Sequence, residues 1–187
     1  MNDGPYILLY TGRKFFFDHP EQHQFDIRDI AHATAHKCRY SGHTHVHSSV
    51  AEHMWRASFL VPERLALAAL LHDASEAYIA DLPAPLKGWM REHGHTELLD
   101  LDKRIETAIA NWYGIHLTAD ETGVLKIVDR KLAMTEARDL MAERDTNAYW
   151  HNDPPYDWRY LPMSAAEAES KYLRRFSQLT EIANDPA

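Results

Sequence analysis

Apolar residues recur at intervals of three and four over most of the chain, a period that predicts helices burying one face. Residues 4–10 escape that period and read as a short strand, and residues 11–24 as an irregular, aromatic-rich entry. Asp26 or Asp29 then starts a helix carrying Ile27, Ile30, Ala31 and Thr34, and a histidine-rich loop follows. Helices near 48–60 and 62–78 flank Pro62, a favoured first-turn residue. The Asp81-Leu82-Pro83-Ala84-Pro85 segment breaks the pattern. Beyond it, helices are predicted near 84–92, 96–113, 119–145 and 164–183, with a proline- and aromatic-rich loop over 149–162 that has no helical period. The expectation is an all-α bundle of six or seven helices. No repeat and no shift in composition divides the chain, so residues 1–187 read as one domain.

Composition removes several function classes. With 45% hydrophobic and 26% charged residues over 187 positions, the chain is long enough to bury a sizeable core. No apolar run approaches the roughly 20 residues that span a bilayer, and no basic-then-apolar leader opens the sequence, so no membrane and a cytoplasmic location are expected. The one cysteine, Cys38, excludes an internal disulfide and a multi-cysteine zinc site, and nothing around it marks a thiolate nucleophile. A formal charge of −8 argues against general nucleic-acid binding, which rests on lysines and arginines that neutralise phosphates. A small phosphorylated ligand needs only a local positive site.

Chemistry enters at His72-Asp73, directly after the apolar Leu-Ala-Ala-Leu-Leu run. A carboxylate beside an imidazole in an apolar wall needs a partner, and a divalent cation serves both. On a continuous helix Glu76 lies at i+4 from His72 and i+3 from Asp73, so all three face one cavity. Two further ligands suggest themselves. His53 sits beside the stripe Val50, Met54, Ala57 and Leu60, and Asp129 flanks the stripe Val124, Ile127, Val128 and Leu132. Their bland alternative is helix caps or buried hydrogen-bonded pairs. Two imidazoles and two carboxylates would suit zinc, cobalt, manganese or iron, with water completing the shell.

The order His53, His72-Asp73, Asp129 resembles the HD superfamily of metal-dependent phosphohydrolases. Three segments carry the likeness further, to its compact nucleotidase branch: Ser49-Val50-Ala51-Glu52-His53, Leu71-His72-Asp73-Ala74-Ser75-Glu76 and Ala80-Asp81-Leu82-Pro83-Ala84-Pro85-Leu86-Lys87. Arg39-Tyr40, fourteen positions before His53, fits as well, and the likeness covers about residues 25–140. That branch holds bacterial deoxynucleoside 5′-monophosphatases and bacteriophage deoxynucleoside triphosphohydrolases, some of them dATP-specific. The resemblance implies an HD-domain helical bundle with metal ligands at His53, His72, Asp73 and Asp129. It also implies Glu76 orienting or deprotonating water, directly or through an additional Mg, and Asp81 assisting the leaving 5′-oxygen or holding a substrate-contacting residue. Arg39 and Lys87 would contact phosphate, and Tyr40 would pack on sugar or base. Arg39 can also be read as a surface ion pair and Tyr40 as core packing. The Arg39-Tyr40-Ser41-Gly42-His43 turn leans the reading to a triphosphohydrolase that releases deoxynucleoside and triphosphate, with Gly42 leaving the choice of base open. The alternatives are a 5′-deoxynucleotidase acting on monophosphates and a non-catalytic metal-containing nucleotide sensor. Glu76 speaks against the sensor, because a closed structural site needs no extra carboxylate.

The remaining polar residues have plainer readings. His43, His45 and His47 alternate along one side of an extended segment that reads as a polar loop near the mouth of the site, the alternative being an extra metal or a phosphate contact. His32 and His36 have zinc-compatible spacing but no recognisable third donor, and His93, His95, His116 and His151 read as surface residues. Arg130-Lys131 read as solvent-facing. A homo-oligomer through Trp89, Trp112, Trp150 and Trp158 is an open possibility.

Overall fold

Local signals account for most element boundaries. In the computed structural model, which describes residues 4–142 and 153–184, strand β1 (Tyr6–Leu8) pairs antiparallel with β2 (Lys14–Phe16), Ile7 opposite Phe15. The expected strand is thus shorter than 4–10, and its partner lies in the segment read as irregular. Gly12, at φ 82°, makes the intervening turn in a conformation that costs glycine least. Phe15 is the reason the hairpin stays on the protein, for its ring is fully buried against Phe25 and Tyr78.

Among the described residues seven α-helices follow: α1 (Ile27–His36), α2 (Val50–Leu60), α3 (Ala66–Leu71), α4 (Ala84–Glu92), α5 (Glu97–Trp112), α6 (Ala119–Leu140) and α7 (Ala165–Asn184). Asp26 caps α1 through the Arg28 amide, Ser49 caps α2 through the Glu52 amide, and a Thr118–Glu121 capping box opens α6. The fold is all-α apart from the hairpin. Among the described residues no helix is long and apolar enough to cross a membrane.

The expected helix over 62–78 is in fact three pieces. A 3-10 turn (Glu63–Leu65) leads into α3, α3 ends at Leu71, and a second 3-10 turn covers Ala74–Ala77. Asp73 at φ −108°, ψ 19° makes the break, and Lys37 donates from Nζ to the carbonyls of Glu76 and Ile79, tying down the turn. Helix α6 also differs from expectation. Val128 and Leu132 are buried, but Val124 and Ile127 are exposed, and in the first turns of α6 it is Leu125 that packs against the core. The predicted extension to residue 145 and the loop's start at 149–152 lie partly outside the described residues.

Helix α2 packs on α1, α3, α6 and α7, so its residues are buried on several sides. Ile30, Val50, Met54, Leu70, Ile105, Ile109 and Tyr172 belong to the main core. Ala57, Ala69, Val128, Leu132, Leu140 and Tyr160 form a second cluster between α2, α3 and α6. Fully buried Glu52 helps bring α7 against α2: its Oε2 accepts from the Met163 amide, while Oε1 accepts from Arg56.

Candidate metal centre

Burial of polar side chains where α2, the end of α3 and α6 meet defines the site. His53, fully buried on α2, presents Nε2 to Asp129 Oδ1 of α6 at 3.0 Å. His72 presents Nε2 to Asp73 Oδ2 at 3.3 Å and to Asp129 Oδ1 at 3.8 Å. One donor atom each from His53, His72 and Asp129 lies within 4.8 Å of the others, so these three could hold a metal ion. Asp73 stands beside them, its Oδ2 4.0 Å from His53 Nε2.

The far sides of both rings are anchored. His72 Nδ1 donates to the Ala69 carbonyl at 2.7 Å, and His53 Nδ1 donates to Glu136 Oε1 at 2.8 Å. A carbonyl can only accept, so in the neutral His72 ring the lone pair lies on Nε2, which is buried without a well-formed hydrogen bond and is open to a metal once the ring gives up its second proton. Such anchoring is how proteins orient metal-binding imidazoles. The donor set and the orphaned Nε2 fit a divalent transition cation. Charge agrees with the geometry. Burial opposes a positive charge on His72, but Asp73 and Asp129 outweigh it and raise its pKa well above the ordinary value. Burial likewise raises Asp129, and hydrogen bonds and charge from His53 and His72 override it, holding that carboxyl well below its usual range. The cluster is a trap for positive charge.

Glu136, which sequence reasoning missed, organises the back of the site. It is fully buried, and its Oε2 accepts from Arg39 Nε at 2.8 Å while Oε1 holds His53. Arg39 Nη1 also lies 3.6 Å from Asp73 Oδ2, so Arg39 is a buried ion pair at the site and not a surface one. Tyr40 donates from its hydroxyl to the Ala133 carbonyl at 2.6 Å, and its amide donates to Asp81 Oδ2 at 3.1 Å. Tyr40 and Ser41 hold φ of 55° and 53°, a strained conformation for residues with side chains.

In front of this network lies a cavity of ≈ 490 Å³ whose wall includes Arg39, Tyr40, Asp73, Glu76, Asp81, Lys87 and Asp129. Every predicted substrate-contacting or catalytic position therefore lines one space. Glu76 arrives there by a route other than the one expected, through the 3-10 turn and not on the helix of His72. It is 3% exposed with Oε2 unpaired, and burial, then the charges of Asp73 and Asp81, push its pKa up to about 9. Burial raises Asp81 as well, against the pull of Arg39. Lys87 is half-buried, with Nζ 3.7 Å from Asp102 Oδ2. A second cavity of ≈ 310 Å³ is lined by His72 and by Asp129, and of these two only Asp129 also lines the first.

Other candidates fall away from the centre or join it only in part. His43 lines the larger cavity, whereas His47 Nε2 donates to the Ala35 carbonyl and the His45 amide to the Leu140 carbonyl. Arg130 and Lys131 are partly exposed, and each also has a partner in the segment before α7: Arg130 pairs with Asp153 at 2.6 Å and Lys131 sits over the Tyr156 ring. Cys38 lies near Thr44 and does not line either cavity. Of the tryptophans considered for an interface, Trp89 and Trp112 are about half exposed, Trp158 stacks on Tyr156 and Tyr160, and Trp150 lies outside the described residues, as does His151.

No protein-family model matches the chain. It is similar to the uncharacterized protein YfdR of Escherichia coli strain K12, with 31% identity over 181 residues that cover 95% of this chain and 97% of YfdR. It is also similar to an uncharacterized protein of Rhodobacter capsulatus, at 32% over 151 residues and 75% of each chain.

Proposed function

The chain belongs to one family with Escherichia coli YfdR, and from that premise and its metal-binding cluster we propose that it is an HD-type metal-dependent phosphohydrolase of deoxynucleotides. The observation that carries the reading is the pair of imidazoles, each anchored at Nδ1, whose Nε2 atoms converge with Asp129 beside a polar cavity. Asp73 is the proposed fourth ligand, and zinc, cobalt, manganese or iron the proposed ion, with Mg as a possible second. A bound cation supplies charge to a phosphate and acidity to a water.

The side chains divide the remaining work. Arg39, with Nε taken by Glu136, offers its terminal nitrogens to a phosphate. Lys87, beside Asp102, offers its charge to phosphates farther from the sugar. Glu76 holds its proton at neutral pH and in that state can donate to a phosphate oxygen or to the departing 5′-oxygen. Acting instead as the base requires loss of that proton, which neutralisation of Asp73 favours. Asp81 positions Tyr40 through the backbone amide, and Tyr40 closes the wall against sugar or base.

Within this class we favour a triphosphohydrolase that releases deoxynucleoside and intact triphosphate, dATP-type substrates included, because Arg39 and Lys87 together supply positive charge for a phosphate chain. The test is chromatography of the products from deoxynucleoside mono- and triphosphates with Mn, Co, Zn and Mg. Deoxynucleoside with unbroken triphosphate is expected. Arg39→Ala and Lys87→Ala should each weaken triphosphate use by about 10- to 100-fold, the loss of a charged hydrogen bond. Hydrolysis confined to monophosphates would leave the 5′-deoxynucleotidase, and metal binding without any turnover would leave the nucleotide sensor.

A further inference from the structure

Outside this centre, two histidines set aside for want of a third donor acquire one. His32 and His36 lie one turn apart on α1, and Glu169 of α7, 137 positions away from His32, brings Oε2 to 3.2 Å from His32 Nδ1. One donor atom from each of the three lies within 4.8 Å of the others. We propose that His32, His36 and Glu169 form a second divalent-cation site, of the imidazole and carboxylate kind that takes zinc, cobalt or nickel, and that it clips the first helix to the last.

The surroundings favour ligation over a chance encounter. His36 Nδ1 donates to the His32 carbonyl at 2.8 Å, which fixes the tautomer with the lone pair on Nε2, the arrangement that prepares an imidazole for a metal. Tyr10 stacks on the His32 ring at 3.8 Å and 12°, which limits the rotation of that ring. The two imidazoles are 4.3 Å apart, centre to centre. Ligands about 2.0–2.2 Å from a tetrahedral zinc are roughly 3.5 Å from one another, so small side-chain rotations close the set. The His32 and Glu169 side chains are 32% and 22% exposed, which opens the site to ions and leaves a coordination position to water. Helices α1 and α7 already pack together, so the ion would reinforce an existing contact.

The experiment titrates Co²⁺, followed by its visible spectrum, and Zn²⁺, followed by calorimetry, into the full chain. The His72→Ala variant removes the centre between α2, α3 and α6 from the measurement. It should still bind an ion and melt higher when zinc is added. Adding His36→Ala or Glu169→Gln to it should weaken that binding by more than about 10-fold, the least that even outer-shell losses cost, and abolish the rise in melting temperature. Equal binding with and without either substitution overturns the proposal. His36 is exposed and glutamine keeps the shape of Glu169, so circular dichroism of both variants should match the parent. Because His36→Ala in the natural background leaves the first centre intact, failure here does not touch the phosphohydrolase reading.

Discussion

Glu136 shows how much of a site can rest on one residue that touches no ligand. Its two oxygens serve two different cations or donors, His53 on one side and Arg39 on the other. A glutamine has one accepting oxygen and an amino group that faces the other partner, so Glu136→Gln must either strand Arg39 or turn His53 to the tautomer with its proton on Nε2, where the metal would bind. Metal affinity should fall by about 10- to 100-fold, and stability by a few kcal/mol for the stranded buried charge. Metal competition and urea unfolding on the purified variant measure both, and an unchanged affinity would sink the positioning role. Glu76→Gln should behave oppositely, keeping the metal while turnover drops about 10²–10⁴-fold. It should also alter the response to pH. Glu76 has its pKa raised from 4.5 to about 9 in the fold, so the folded state holds an extra proton between those values. That contribution is complete below pH 4.5 and is lost as pH rises through about 9, so metal-free protein should lose stability across this window. The Gln variant should show a flatter profile by urea midpoints at pH 5, 7 and 9. The sequence made His53, His72 and Asp129 conspicuous because each is a metal-ligand type set beside apolar residues. It hid Glu136, which reads as one more helix carboxylate; its only signal is a spacing of seven from Asp129, two turns along the same face of α6.

At the level of elements, caps and prolines made most boundaries legible, and the break after Leu71 was not. The run Leu70-Leu71-His72-Asp73-Ala74-Ser75-Glu76 contains neither glycine nor proline, so periodicity carries a helix straight through it. Tertiary bonds end it instead: Lys37 holds the carbonyls of Glu76 and Ile79, and Ser75 donates to Asp102 at 2.6 Å. The consequence is geometric, since with this turn His72 and Glu76 line different cavities that both reach Asp129. The second strand was equally hidden, because a three-residue strand is too short to show alternation, and only its pairing with Tyr6–Leu8 defines it. Helix α2 offers the cleaner test of an element's part in the site. Ser49 is fully buried and caps the Glu52 amide at 3.1 Å, one position before His53. Ser49→Ala should cost about 1–2 kcal/mol, the upper part of the range for lost caps. Fraying of that first turn should also loosen His53, so a thermal melt and a metal titration should move together; a stability loss with unaltered metal affinity would mean that Glu136 alone fixes the ring.

Over the whole molecule the candidate centre joins parts of the chain that no local pattern links: α2, the end of α3 and α6. This is why its separate residues were legible but its geometry was not. Composition spoke only to the coarse scale, where a charge of −8 and alternating apolar stripes indicated a helical protein with no general affinity for nucleic acid. An ion held by those three elements binds the folded chain and has no comparable site in the unfolded one, so it must stabilise the fold by mass action. At a free concentration 100 times its dissociation constant the gain is about 2.7 kcal/mol. For a chain of this size each kcal/mol moves the melting temperature by roughly 2–4 °C, so a chelator should lower it by about 5–10 °C, and added Mn, Co or Zn should restore it. Two variants divide that shift between the sites. His36→Ala removes a ligand from the α1–α7 cluster and should keep most of the chelator effect, since the buried donors around His53 remain. Asp129→Ala removes the carboxylate that both buried imidazoles face and should lose most of it, retaining only the smaller response of the exposed cluster. Scanning calorimetry of both variants with and without chelator decides the matter: if Asp129→Ala responds as strongly as the natural chain, the ion that stabilises this protein is not held where α2, α3 and α6 meet.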